Sequence, residues 1–317
     1  MVRNLITGGL GFVGSCLARQ LVEEGEEVVI FDMSSASTRL IRNIEHRVVI
    51  VRGDLTNWAQ VLDAVKSNGV DCIYHLGALL TPACEASPSA AYVTNMGGTY
   101  QVLEAARLFD VGSLIFTSSI ATYGPDAPAV VNEDTVQRST TVYGILKVAS
   151  ERLGEYYHRR YGVNFRSVRY PLLVGPGRTV GISRYATEMV QVPALGHAYR
   201  TYVEESLKMP VMYVEDAAWC LICLKRASES SLKRRIYNVG GNFLSAREES
   251  DIVRRYLPQA QIEFQPDETA MRLLNDFARE IDDSRARQEW GFSLRYNADD
   301  LVKHFVSEVQ ANRALYE

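Results

Sequence analysis

A doubly wound α/β fold, an open parallel sheet with helices on both faces and a smaller C-terminal substrate-binding lobe, is predicted by three features of this 317-residue sequence. A short apolar run, Val2 to Thr7, leads straight into Gly8-Gly9-Leu10-Gly11-Phe12-Val13-Gly14 and then into helical apolar spacing at Val13, Leu17, Leu21 and Val22. Strand-like and helix-like segments then alternate along the chain, which specifies a parallel sheet covered on both faces, with ligand sites at the carboxyl ends of the strands. Finally, Thr117-Ser118-Ser119 lies just past one such strand end, and Tyr143-Gly144-Ile145-Leu146-Lys147 opens the next helix.

The first strand, glycine turn and helix form the Rossmann-type dinucleotide signature. Gly8 permits the tight turn, Gly11 lets backbone approach a pyrophosphate, Gly14 allows close packing, and the helix N-terminus offers N–H groups and positive dipole to phosphate. Gly25 closes that helix. A second strand, Val28 to Phe31, ends at Asp32, whose carboxylate suits two ribose hydroxyls and repels a 2′-phosphate, so the expected cofactor is NAD. A third strand, Val48 to Val51, leads to Gly53-Asp54-Leu55, placed either at the adenine edge or, for Asp54, as the cap of the following helix.

That helix is expected around Trp58 to Val65. It is followed by a strand at Cys72 to Leu76, a long helix from about Ser89 to Phe109, and a strand at Leu114 to Thr117. Val142 to Tyr161 reads as one helix, and its spacing puts Tyr143 and Lys147 on one face. A strand from Asn164 to Arg169 reaches Tyr170-Pro171, after which Gly175-Pro176-Gly177-Arg178 departs from the alternation. A helix from Glu215, a strand near Ile236 to Val239, a helix capped by Ser245 with Glu248 three residues on, and a helix after Asn297 complete the chain. Residues 1–171 are thus expected to bind the dinucleotide, with parts of 209–241 returning to them, and 172–317 to form mainly the substrate lobe.

Composition narrows the class. With 47% hydrophobic and 23% charged residues the chain can build a large core, and a net charge of −4 gives no electrostatic case for nucleic acid or an anionic membrane. No apolar run approaches ~20 residues, and a cytoplasmic enzyme is expected. The five cysteines form no evident disulfide framework. Cys220-Leu221-Ile222-Cys223 sits in an apolar helical stretch without a second pair, so it reads as core and no metal site is expected.

The chemistry expected of Ser119, Tyr143 and Lys147 is proton transfer at a hydroxyl-bearing carbon. A tyrosine titrating near ~10 needs a fall of roughly 3 units, about 4 kcal/mol, to act near neutrality. A cation at about 4 Å supplies roughly that at an effective dielectric near 20. Lys147 is placed to be that cation, with Ser119 holding the reacting oxygen.

These segments together resemble the extended short-chain dehydrogenase/reductases, the superfamily that includes nucleotide-sugar epimerases and dehydratases. Within it the chain is most similar to short-chain-type L-threonine 3-dehydrogenases. The resemblance is carried by 78–81, 118–125, 139–144, 154–158, 166–171, 209–213 and 281–284. It implies catalytic roles for Ser119, Tyr143 and Lys147, and a cofactor wall of Gly8, Gly11, Phe12, Val13, Gly14, Asp32, Asp54, Leu55, Leu76, Gly77, Ala78, Thr117, Tyr170 and Pro171 with Tyr143 and Lys147. It also matches Asn95 to a helix asparagine that supports a proton relay beside the lysine, and implies a homodimer through the helices around Ala90 to Phe109 and Val142 to Tyr161.

Departures from the family pattern bear on the substrate. Nucleotide-sugar epimerases place an asparagine where this chain has Leu172 and an arginine-aspartate pair where it has Met209-Pro210, so two diphosphate anchors are replaced by apolar side chains. Threonine dehydrogenases end a glycine- and threonine-rich loop in threonine-threonine-aspartate-tyrosine, where this chain reads Gly181-Ile182-Ser183-Arg184-Tyr185-Ala186. A small, anionic substrate touching Leu79, Thr81, Ser119, Arg178, Ser183 and Arg184 is expected. The function expected is transfer of hydride from a secondary alcohol of a threonine-like or sugar-derived hydroxy acid. The alternatives are an NAD-retaining sugar or nucleotide-sugar epimerase and a non-catalytic NAD sensor.

Overall fold

The computed structural model describes residues 2–277 and 279–317. A seven-stranded parallel sheet is built from β1 (Arg3–Thr7), β2 (Glu27–Asp32), β3 (Val49–Arg52), β4 (Cys72–His75), β5 (Ser113–Ser119), β6 (Phe165–Tyr170) and β7 (Ile236–Asn238). Its order, β7-β6-β5-β4-β1-β2-β3, reverses direction between β1 and β4. That reversal opens a crevice at the strand ends, where ligands of doubly wound sheets bind. The expected Rossmann-like α/β class is therefore the observed one.

Parallel strands covered on both faces need continuous apolar character, and β4 is buried along its whole length. The strand β6 is equally buried although it contains Arg166, Ser167 and Arg169. Its two arginines are satisfied internally, whereas the Ser167 hydroxyl is unpartnered: Nη1 of Arg166 donates to the carbonyls of Leu224 and Ala227, both at 2.7 Å. Arg169 forks onto Glu151, with Nε to Oε1 and Nη2 to Oε2 both at 2.8 Å.

Four helices cover this half: α1 (Phe12–Glu23), α2 (Trp58–Lys66), α3 (Gly98–Leu108) and α4 (Val142–Tyr161). The bounds of α4 are those its apolar spacing predicts; Thr141 caps it by accepting from Gly144 N at 3.1 Å, and Gly162, at φ +75°, stops it. Asn57, not Asp54, caps α2. Asp54 instead accepts from Thr56 N at 2.8 Å, so the capping alternative for Asp54 is wrong. The long helix expected from Ser89 is interrupted: Pro88–Ala91 is α-helical, Tyr92–Gly97 is a π-helical turn, and only then does α3 begin.

Beyond β6, the strands Leu172–Val174, Lys208–Tyr213 and Asn242–Ser245 make a small sheet, and α5 (Tyr185–Ala194), α6 (Val214–Arg226), α7 (Ala246–Tyr256) and α8 (Ala298–Ala311) pack around it. The capping box at the start of α7 is present in both directions, Ser245 with Glu248. One continuous cluster of buried side chains runs from Ile6 and Leu17 through Tyr170 to Met189, Val211 and Phe305, so the core is shared across residue 171. Cys220 is fully inside α6's buried face and Cys223 partly so, as their apolar surroundings predict.

Candidate functional site

The turn after β1 is shaped by steric necessity. Gly8 has φ +69°, and a Cβ there would lie 2.8 Å from Cα of Gly77; a Cβ on Gly14 would strike the carbonyl of Gly8 at 2.3 Å. The loop after β4 can therefore close onto the turn only with glycine at these positions. Gly11 is the N-cap of α1 and no side chain caps that helix, which leaves its N-terminal N–H groups facing the crevice. The carboxylate of Asp32, at the end of β2, is fixed by accepting from Leu10 N at 2.9 Å and Met33 N at 2.8 Å.

A cleft of about 510 Å³ runs from Asp32 along the strand ends to the loop after Leu172–Val174, a volume in the range of small-ligand and cofactor sites. Every expected cofactor residue but one lines it: Gly8, Gly11, Phe12, Val13, Gly14, Asp32, Asp54, Leu55, Leu76, Gly77, Ala78, Thr117, Tyr143, Lys147, Tyr170 and Pro171. So do Leu79, Thr81, Ser119, Arg178 and Ser183 of the expected substrate residues.

Two expected residues lie elsewhere. Arg184 points away from the cleft and pairs with Glu188 at 3.0 Å, one helical turn along. Asn95 is buried behind the wall, where Oδ1 accepts from Leu79 N at 2.7 Å and Nδ2 donates to Leu79 O at 2.9 Å. The π-helical turn adds one residue to the helix at this point, and Asn95 serves to clamp the backbone of Leu79 rather than to face a ligand.

The proton-transfer candidates meet in the cleft. Ser119 is near enough to the Tyr143 phenol to hold its pKa down, and Ala121 N donates to Ser119 Oγ at 3.1 Å. Nζ of Lys147 donates to Thr117 O at 2.6 Å, lies 4.4 Å from the centre of the Phe116 ring and 5.6 Å from that of Tyr143. Burial pushes the Lys147 ammonium down to about 8, with Glu151 opposing that fall. Burial also pushes the Tyr143 phenol above its usual value, helped by Cys84; Ser119 and Arg178 are the groups that hold it down. The Lys147 ammonium is turned onto the β5 carbonyl of Thr117, and Arg178 joins it as a second cation near the phenol.

Sequence reasoning passed over the supports behind this site. Thr7 Oγ1, which accepts from Leu76 N and Gly77 N at 3.2 Å each, reaches Nδ1 of His75 at 2.7 Å. The opposite ring nitrogen lies 3.1 Å from Thr99 Oγ1, and that hydroxyl donates to Asn95 O at 2.6 Å. This network assigns the ring proton to Nε2, and burial, with Lys147 adding, pushes His75 down to about 3 and keeps it neutral. Behind Ser119, Ser118 donates to Glu151 Oε1 at 2.5 Å. Met33, Leu80, Thr94, Met209 and Phe277 also line the cleft. Of these, Leu80 falls in the family-like segment 78–81 and Met209 stands out as a departure from the epimerase pattern; the other three carried no signal in the sequence.

The comparisons with known proteins agree with the fold. A model of the NAD dependent epimerase/dehydratase family matches residues 4–240. An uncharacterized epimerase/dehydratase of Staphylococcus aureus is 31% identical over 98% of this chain and 97% of its own. Among solved structures, the L-threonine dehydrogenase of Clostridium difficile superimposes with a TM-score of 0.91 at 30% identity, covering 99% of each chain. The holo form of a GalE-like L-threonine dehydrogenase from Cupriavidus necator gives 0.90 at 30% identity, covering 97% of this chain and 99% of that one. The chain belongs to the NAD dependent epimerase/dehydratase family, the extended short-chain dehydrogenase/reductases.

Proposed function

We propose that the protein is an NAD-dependent oxidoreductase that removes hydride from a secondary alcohol of a small polar substrate through Ser119, Tyr143 and Lys147. The observation that carries this reading is the convergence of those three side chains with the glycine turn and Asp32 on one cleft. The first-turn N–H groups of α1 would hold the pyrophosphate, Asp32 the adenosine ribose and Lys147 the nicotinamide ribose. When bound, NAD supplies the hydride acceptor and a positive ring close to the phenol.

In this reading Ser119 orients the substrate oxygen and Tyr143, as phenolate, takes its proton. Lys147, tied to Thr117 O, keeps the base helix in register with the end of β5. The loop at Leu79, its backbone clamped by Asn95, would form one wall beside the reacting carbon. Residues 172–317 supply most of the substrate end, where Leu172 and Met209 form apolar wall in place of diphosphate anchors. That supports a small substrate over a nucleotide sugar.

The family match keeps an NAD-retaining epimerase as a second reading, and membership in an enzyme family leaves the non-catalytic sensor without support. Absorbance of NADH separates the two: a dehydrogenase accumulates it when a panel of hydroxy acids is offered with NAD, whereas an epimerase isomerises sugars without free NADH. No NADH from any alcohol would refute the dehydrogenase reading. Exposed Tyr92, Tyr100, Ile145 and Tyr156 on the 88–108 segment and α4 support a homodimer through those helices; a monomeric mass by light scattering would refute it.

A further inference from the structure

Arg178 lies on the loop after Leu172–Val174 and, of the two arginines expected to touch the substrate, is the one that lines the cleft. The guanidinium is built into place. Nε donates to Val180 O at 3.2 Å, Nη1 donates to Leu173 O, and Nη2 donates to Ser183 Oγ at 2.9 Å. Gly181 makes room for it, since a Cβ there would lie 2.8 Å from Nη2. A solvated surface arginine has no such cradle.

All three acceptors are neutral. Glu188, the carboxylate that acts on Arg178 from beyond ion-pair distance, is already engaged by Arg184 at 3.0 Å and by the Tyr199 hydroxyl at 3.1 Å. Burial accordingly pushes the Arg178 guanidinium down to about 10, well below the usual arginine range. Its charge is felt at Tyr143 across the cleft. Among the described residues the carboxylates that line the cleft are Asp32 and Asp54, both at the β2–β3 end. The cleft lining at this end is largely apolar, with Leu172, Leu173, Ile182, Met209 and Phe277 beside the hydroxyls of Thr81, Tyr143 and Ser183.

A cation held in an apolar wall without a counter-ion is half of an ion pair. The missing half has to arrive with the ligand. Phosphate asks for several donors, and the wall offers one arginine and few hydroxyls, so a carboxylate is the better match. An ammonium group on the same ligand would find no carboxylate at this end of the cleft and would be repelled by Arg178.

We propose that Arg178 is the receptor for the substrate's carboxylate, and that the substrate is a small hydroxy acid without an ammonium group, not an amino acid. This rests on the dehydrogenase reading of the cleft and names its substrate class. Ser183 and Gly181 position the guanidinium; Ser119 and Tyr143 act at the hydroxyl.

Binding, rather than turnover, tests it independently. The full-length protein saturated with NADH is titrated calorimetrically with 3-hydroxybutyrate, with 3-hydroxybutyramide, and with L-threonine, which is 3-hydroxybutyrate carrying an added ammonium group. The acid should bind roughly ten- to a hundredfold more tightly than the amide, as a charge-assisted hydrogen bond in a closed site allows. Arg178→Gln should abolish that preference, Arg178→Lys should keep part of it, and NADH affinity should be unchanged in both. Failure of the acid to outbind the amide in the unmodified protein overturns the proposal, as does a preference that survives Arg178→Gln. L-Threonine binding more tightly than 3-hydroxybutyrate overturns the exclusion of an ammonium group. The absence of NADH production from any alcohol is a separate result that strikes the dehydrogenase reading instead.

Discussion

Breaking the ion pair between Glu151 and Arg169 should be among the most destabilising single changes available in this protein. Glu151 is 0% and Arg169 1% exposed at the side chain. Two parallel hydrogen bonds of 2.8 Å join them, and Ser118 and Gln137 fill the remaining acceptor positions of the carboxylate. Glu151→Gln keeps the shape and removes the charge, leaving a guanidinium buried in the central sheet without compensation. A pair of this kind broken on one side costs about 3–5 kcal/mol. Arg169→Met should cost a similar amount by stranding Glu151. The double replacement Glu151→Gln with Arg169→Met strands neither charge, so it should be more stable than either single variant. Equilibrium unfolding in guanidinium chloride measures all four proteins. If the single losses are below about 1 kcal/mol, or if they simply add in the double variant, the pair is not holding β6 to α4 and the reasoning fails.

Three other outcomes are expected. Tyr143→Phe should lower turnover at least ~10²-fold, the usual contribution of a general base, with NAD affinity nearly intact by fluorescence titration; near-normal turnover removes Tyr143 from the mechanism. NAD should bind clearly more tightly than NADP because the Asp32 carboxylate lines the cleft at the end of β2, where it would meet the adenosine ribose, and tighter NADP binding would point to Arg39 or Arg42 as a compensating cation. Glu249 is buried with Oε1 unpartnered, and burial raises its carboxyl to about 8. The folded state therefore keeps a proton that the unfolded state releases above its ordinary pKa, so this group's effect is neutral below about pH 4.5 and costs progressively more stability up to about pH 8. Glu249→Gln should thus raise the melting temperature more at pH 8 than at pH 4.5; an equal change at both would mean that Glu249 is charged in the fold.

The parts of the site that could be read in the sequence are those whose signal is local. The glycine turn, the Ser245–Glu248 capping box and the helix that carries Tyr143 and Lys147 each depend on residues within a few positions of one another. What escaped depends on rotation or on distant packing. One extra residue in the turn at Tyr92–Gly97 leaves the apolar spacing of that helix recognisable, yet it swings Asn95 onto the backbone of Leu79. Arg178 and Arg184 look alike in a loop sequence, and only the fold sends one to the cleft and the other to Glu188. The chain of hydrogen bonds from Thr7 through His75 to Thr99 joins three segments far apart in sequence, so no local pattern announces it. Phe277 likewise reaches the cleft only through tertiary packing.

The place of Arg178 also ties substrate charge to the strength of the base. Ser119 and Arg178 lower the Tyr143 phenol while burial raises it. A carboxylate bound to Arg178 neutralises one of those two restraints, whereas an amide bound at the same spot leaves the cation's field in place. The phenol should therefore ionise at higher pH in the complex with an acid than in the complex with its amide. Because the pH dependence of kcat reports groups in the substrate complex, its rising limb should lie at higher pH for the acid. In Arg178→Gln the guanidinium is gone for both ligands, so both limbs should move to higher pH than in the unmodified enzyme. Limbs that coincide already in the unmodified enzyme would show that Arg178 does not act on Tyr143 during turnover. The preference for an acid would then rest on binding alone.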